Sequence, residues 1–486
     1  MKQASRLVVA VLLLASAAQA GTLVVNPAPA SANDANPGSA AEPLRTIGRA
    51  AELVQPGDVV VIHAGVYREK VTVNASGTEG QPICFQAAPG ARVVITGADP
   101  LTGWSKDEDN TYSVPWPHRL FQGDDHNPGG AEQVVVNGRL LRKVPGLKEM
   151  TDGTFFVDLK RKRLHVFAAR NPDDGGPEQA VEGSTRSEVW IVNGRHVHTR
   201  GLRFRYAANR AQQGMAQFRG AHAVVEACTF EWSNSTGAHF RGEDITVLGC
   251  TFRDNGQQGF SAGGAHRLRM DGCTVERNNV KDYPRGWEAG GNKISFTRGA
   301  VLENGRFLKN RGSGVWFDIS NVDCTVRNCL IADNEDAGIF YEISYGLHAH
   351  DNVIVGNGLA GTKGAWGANG GICLSSSPGC VVERNLIVGN QQGFCFREQN
   401  RMTARVDGAE GPRPPVWKQG RMISPRVAIW NHDEVIRRNL IADNVTAQVQ
   451  GWFDIASERH WPKAVQTGKA EGGTPKEDWA AGYQAK

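Results

Sequence analysis

Long apolar runs, an excess of one charge and abundant aromatic residues are all missing from this chain. Only 8% of its 486 residues are aromatic, and Lys plus Arg total 54 against 50 Asp plus Glu, a net charge of +4. With no basic stripe along the sequence, a nucleic-acid partner is not expected. Beyond the first residues no apolar segment nears the twenty or so residues of a membrane span, so no membrane insertion is expected. There is no Walker-type loop, no HExxH and no paired CxxC. His348 and His350, two apart on one strand face, lack metal-ligand spacing, and no metal or other cofactor is implied.

What is present begins with "MKQASRLVVAVLLLASAAQA", a basic start, a short apolar run and Ala-Gln-Ala ending at Ala20. It reads as a cleavable signal peptide over 1–20, hence a soluble protein that is secreted or periplasmic. Export would make the nine cysteines disulfide material. Their placement argues for buried thiols instead, with disulfides between some of them left open.

From residue 200 onward one pattern returns: "GLRF" at Gly201, "ACTF" at Ala227, "GCTF" at Gly249, "GCTV" at Gly272, "NGRF" at Asn304, "NCLI" at Asn328, "NVIV" at Asn352, "NLIV" at Asn385 and "NLIA" at Asn439. Most intervals fall between 22 and 26 residues, and the longer ones fit inserted loops. Short strands with period-two alternation between Asn/Gly turns, at this spacing, describe a solenoid. Without leucines at fixed offsets or a helical segment per unit, the expected fold is all-β, a parallel β-helix. Cys228, Cys250, Cys273 and Cys329 take the second, inward position. Asn304, Asn328, Asn352, Asn385 and Asn439 are expected to stack in the turn before it. In the last four units the third residue is Leu or Ile, which suggests a covered outer face.

The stretch Pro43 to Asp58 has helical spacing and a Pro-Gly stop, and reads as a capping helix. The domain reading is 21–98 for cap and first coils, 99–182 for an inserted β-rich module and 183–454 for the main solenoid. A long loop at 398–434 interrupts the solenoid, and 455–486 is a loosely ordered tail.

Chemistry concentrates in the second strand of each unit. "GVWFDIS" from Gly314, "GIFYEIS" from Gly338, "GICLSSS" from Gly371 and "GFCFREQ" from Gly393 align on their glycines. Val315, Phe317, Ile339 and Tyr341 then point inward. Trp316, Asp318, Phe340, Glu342 and Arg397 point outward. Asp318 and Glu342, 24 residues apart, stand in one ladder on adjacent coils, about 4.8 Å from backbone to backbone. Two carboxylates that close push one pKa upward, giving an acid beside a nucleophile or base. A separation of about 5 Å is that of retaining glycosidases. The aromatics Trp316 and Phe340 are expected to offer exposed faces to a sugar ring. One coil earlier, "GWEAGGNKISF" carries Glu288 and Lys293, and either Lys293 or Ser295 falls in the Asp318 column.

"EAGGNKISF", "GVWFDIS" and "GIFYEISYG" resemble the ordered motifs of β-helix glycoside hydrolases, most closely the family 120 β-xylosidases. The resemblance covers roughly residues 285–360. It implies right-handed winding, Asp318 as nucleophile, Glu342 as general acid/base, and Glu288 and Lys293 near the sugar. The chain departs from the family pattern at Ile319, where the family has an aromatic residue, and at Ser344 and Tyr345, where it has Asn-His. The N-terminal run "EPLRTIGRAAELVQPGDVVVIHAGVYREKVTV" is also similar to the caps of β-helix polysaccharide lyases. That alternative would use Lys293 or Arg397 against a uronate, often with calcium. A third reading is a non-catalytic carbohydrate-binding solenoid built on Trp316 and the Trp417 loop. The expected partner is a poly- or oligosaccharide. Oligomeric state is not legible.

Overall fold

The computed structural model describes residues 20–122, 130–176, 180–360, 369–398, 401–404, 417–418, 421–422 and 426–453. The leader up to residue 19 and the tail from 454 lie outside the described residues, as do the Trp417 side chain and much of the 398–434 loop.

Three parallel sheets, of 12, 11 and 11 strands among the described residues, run the length of the solenoid. Each coil contributes one strand to each sheet, as in Val224–Glu226, Thr229–Glu231 and Thr236–Glu243. The inward side chains pack into one continuous core. Within it Phe204, Phe230 and Phe252 stack coil upon coil, with ring centroids 5.1 and 4.9 Å apart. Parallel pairing repeats the same inward residue type every coil, so a one-coil pattern becomes a ladder. At the N-terminal end Ile47–Leu53 forms a seven-residue helix, shorter than the Pro43–Asp58 stretch, with Thr46 accepting from the Arg49 N–H as its N-cap. It buries Ile47, Ala50 and Ala51 against the first coils. No helix among the described residues is long and apolar enough to cross a membrane.

The corners depend on left-handed backbone. Gly201, Gly249, Gly272, Asn304, Asn328, Asp351 and Arg384 all have φ between 52° and 72°. This column corrects the expected asparagine ladder. Leu330 pairs with Val353, so Asn328 stands over Asp351, while Asn352 stands under Cys329, on the inward side. The inward column therefore runs Cys228, Cys250, Cys273, Gly305, Cys329, Asn352, Asn385 and Asn439. Where thiols give way to amides, Asn352 Nδ2 donates to Asn385 Oδ1 at 2.9 Å, and Asn385 Nδ2 to Asn439 Oδ1 at 3.0 Å. The one-residue shift also exchanges faces. Val353, Leu386 and Leu440 point outward and are exposed, Leu440 to 60%, so the outer face there is not covered. None of the nine cysteines, all among the described residues, is in a disulfide, and eight are buried.

A second, longer ladder escaped the sequence reading. Asn255, Asn278, Asn310, Asn334, Asn357, Asn390 and Asn444 hydrogen-bond amide to amide at 2.8–3.1 Å. They sit just before the sheet that carries Asp318. They also explain the glycines that open its strands: a Cβ at Gly314 would fall 2.6 Å from Asn334 Nδ2.

The inserted module folds as two small sheets. One orders Arg139–Leu140, Val134–Val136, Val181–Ser184 and Ala98–Pro100; the other orders Arg142–Lys143, Thr154–Asp158, Arg163–Phe167, Thr111–Pro115 and Ser105–Lys106. It has its own core around Trp104, Trp116, Phe155 and Leu164. Tyr206 of the solenoid packs on Ala98 and Val135, and its hydroxyl donates to Gly138 O at 3.2 Å.

Candidate active site

Strand pairing sets Trp316 beside Phe340 and Asp318 beside Glu342, on adjacent coils. Ser375 and Arg397 continue the Asp318 column. Upstream, Ile294 pairs with Phe317, so Ser295 occupies the Asp318 column and Lys293 the Trp316 column. Lys293 nevertheless reaches across: its Nζ lies 2.8 Å from Asp318 Oδ2 and 2.6 Å from Glu288 Oε1. It also lies 5.1 Å from the centre of the Trp316 ring. Burial by itself would lower the Lys293 pKa, but Asp318 and Glu288 hold it above the ordinary lysine range.

Both carboxyl groups are buried, Asp318 to 5% exposure and Glu342 to 1%. Asp318 Oδ2 is held by Lys293, while Oδ1 is buried with no hydrogen-bond partner. Glu342 Oε1 accepts from Arg401 Nη1 at 3.0 Å. Burial, reinforced by the Asp318 charge, pushes Glu342 up to about 7 against the pull of Arg401, Arg397 and Lys293. Arg397 is fully buried two coils beyond Asp318's neighbour, and burial lowers its pKa against the opposing charge of Glu342.

The aromatic pair corrects an expectation. Trp316 and Phe340 do face away from the solenoid core, with rings 5.3 Å apart at 30°, but they are 5% and 3% exposed. Together with Ala337, Cys373 and Cys395 they form a small separate apolar cluster. Instead of an open platform, they make a low-dielectric wall beside Lys293.

Backbone geometry after the column is unusual. Ile319 and Ile343, which follow Asp318 and Glu342, have φ of 62° and 40°. A β-branched residue at positive φ is strained, and such strain persists only where the surroundings enforce it. A polar ladder enforces it here. The Asn321 N–H donates to Ser344 Oγ, the Ser344 N–H to Ser377 Oγ and the Ser377 N–H to Asn431 Oδ1, at 3.1, 3.2 and 2.8 Å. The same side chains hold the column's carbonyls, Asn321 Nδ2 donating to Asp318 O and Ser344 Oγ to Glu342 O.

Sequence reasoning missed Arg401, which comes from the inserted loop and has no periodic signal. It also missed this polar ladder. "DISN", "EISY" and "SSSP" hinted at the ladder by a polar residue two or three positions after the column.

Comparison with known proteins begins with a family model described as right handed beta helix region, which matches residues 214–387. The complex structure of XylC with xylose superposes with a TM-score of 0.69 over 86% of this chain and 75% of that one, at 16% identity. The chain is a right-handed parallel β-helix. The β-helix extends beyond the matched region at both ends. A second model, for a protein of unknown function, matches residues 30–76. A lacto-N-biosidase from Eubacterium ramulus is 13% identical, covers 87% of this chain and 68% of that one, and has a TM-score of 0.45. A mannuronic acid specific polysaccharide family 6 lyase from human gut microbiota is 12% identical over 84% of this chain and 79% of that one, also at 0.45. The uncharacterized protein YwoF of Bacillus subtilis (strain 168) is 40% identical over 65 residues, 13% of this chain and 14% of that relative's length. At these identities the structural likeness is one of fold.

Proposed function

We propose that this β-helix is an exported glycoside hydrolase of the retaining type, with Asp318 as nucleophile and Glu342 as general acid/base. The observation that carries the reading is the in-register Asp318–Glu342 pair, two buried carboxyl groups that each face a different cation. Lys293 ion-pairs with Asp318 Oδ2, while burial and the Asp318 charge favour a protonated Glu342 near neutrality. That division of labour is what two-carboxylate glycoside hydrolysis needs.

In the first step Asp318 Oδ1 attacks the anomeric carbon while Glu342 gives its proton to the leaving oxygen. The glycosidic bond breaks and a glycosyl ester forms on Asp318. In the second step the Glu342 carboxylate takes a proton from water as its oxygen attacks the anomeric carbon, and Asp318 leaves ionised. Substrate entry requires the Arg401 guanidinium to move off Glu342. The sugar is a neutral glycoside of a poly- or oligosaccharide. The structural likeness to XylC, solved with xylose, makes an aryl xyloside the first substrate to try.

The test incubates wild type and Glu342→Gln with plant and algal polysaccharides and aryl glycosides, following reducing ends and ultraviolet absorbance together. Reducing ends without new absorbance, lost in the variant, support hydrolysis. New absorbance that persists in the variant means elimination on a uronate and overturns the assignment. Binding without either product means a carbohydrate-binding solenoid.

A further inference from the structure

Away from the Asp318 column, a cavity of about 720 Å³ opens where the inserted module meets the solenoid. The module supplies Glu132, Gln133, Arg142 and Lys143 to its wall, and solenoid corners supply Trp232 and Lys281. The charges do not balance. Lys143 Nζ lies 2.8 Å from Glu132 Oε2, so that pair is neutral. Asp282, also on the rim, has its carboxylate 2.9 Å from Arg311. Lys281 donates to Asn234 Oδ1, a neutral acceptor, and Arg142 is exposed with no ion pair among the described residues. Among the described residues of the wall, one carboxylate, Glu132, thus faces three cations, Lys143, Lys281 and Arg142. Burial, with the nearby Lys143 and against the pull of Glu132, brings Lys281 down to about 7, a cost that a bound anion would reverse.

The other walls suit a sugar. Trp232 is half-buried and packs against the Ala98, Val135 and Tyr206 cluster, which fixes its ring. Gln133 is 1% exposed and its Nε2 has no hydrogen-bond partner, an orphan donor in a native interior. A buried polar donor without a partner, beside an aromatic wall and an excess of cations, has the features of a ligand site. The segment that carries Lys281 also runs on to Glu288, the partner of Lys293 beside Asp318.

We propose that this cavity binds a saccharide residue bearing a carboxylate, a hexuronate, with Lys281 and Arg142 facing the carboxylate and Trp232 the ring. It rests on the reading of the chain as a saccharide-active protein, but not on the identity of the catalytic pair. A hydrolase with a neutral-sugar cleavage column and a uronate cavity would select decorated, acidic polymers.

The experiment is a calorimetric titration of the full chain with trigalacturonate, with xylotriose as the neutral control. Wild type and Lys281→Arg are expected to bind trigalacturonate alike. Lys281→Met and Trp232→Ala should each weaken it by about tenfold or more. Glu342→Gln should bind trigalacturonate as wild type does, whatever happens to hydrolysis, which separates this proposal from the assignment of the column. No binding by wild type, or equal affinity in wild type and Lys281→Met, overturns the cavity. Loss in Glu342→Gln with retention in Lys281→Met would put the uronate on the column and overturn it as well.

Discussion

Lys293 belongs by backbone to the Trp316 column, yet its ammonium sits 2.8 Å from Oδ2 of Asp318, two residues along the strand. The diagonal reach places a buried cation against a buried carboxylate and leaves the other oxygen of Asp318 without a hydrogen bond. A single lysine thus holds one oxygen of the proposed nucleophile. Removing one partner of a buried pair leaves the other uncompensated. Lys293→Met is therefore expected to lose about 3–5 kcal/mol of stability, read by denaturant unfolding. It should also lower kcat, because Asp318 loses the ion pair that holds its Oδ2.

Glu342 sets the alkaline side. As the proposed general acid it must carry a proton, so kcat/KM should fall as pH rises through about 7. The same group links pH to folding. Its folded pKa, about 7, lies above the ordinary 4.5, so between those values the folded state binds more protons than the unfolded one. Its contribution to stability then decreases as pH rises across that window. Glu342→Gln should flatten the melting temperature over pH 4.5–7; an unchanged slope would show that the carboxyl titrates normally.

Arg401 pulls the other way, lowering the Glu342 pKa through its 3.0 Å contact. In Arg401→Gln the alkaline limb should shift to higher pH. A profile identical to wild type would mean that Arg401 does not reach Glu342 in solution.

The two carboxyl variants should differ by leaving group. Asp318→Asn is expected to lose about 10⁴-fold in kcat on every substrate, because no glycosyl ester forms. Glu342→Gln should lose about 10²–10⁴-fold on poor leaving groups. It should lose far less in the first step with nitrophenyl glycosides, whose oxygen leaves without a proton. Pre-steady-state kinetics distinguishes the two.

Asn310 lies mid-ladder, its Nδ2 donating to Asn334 Oδ1 and to Val275 O, while its Oδ1 accepts from Asn278. Asn310→Ala strands several buried polar groups at once, so a loss of about 2 kcal/mol or more is expected from chemical denaturation. A neutral result would show that the ladder serves register and contributes little to stability.

Much of this was legible because a parallel β-helix repeats its environment every coil. Alternation in "GVWFDIS" and "GIFYEIS" was enough to predict that Asp318 and Glu342 share a column, and the strand pairing has them side by side. The asparagine corner misled because "NCLI" and "NVIV" look aligned, yet a one-residue shift exchanges inward and outward positions. The longer ladder was visible as the final residue of "TFRDN", "TVERN", "RFLKN" and "LIADN", at constant offset from each strand. Asparagine is so common in turns that a buried role did not suggest itself.

Local period and repeat length were enough to specify the solenoid, the inward face of the Asp318 and Glu342 strands and the pairing of those two carboxylates. Only the tertiary structure decided that Lys293 crosses columns to Asp318, that Trp316 and Phe340 are covered, and that Arg401 returns from an insertion to Glu342. Those outcomes depend on side-chain reach and on burial between segments far apart in the chain. Burial is also what raises Glu342 toward neutrality, and no reading of neighbours along the sequence contains it.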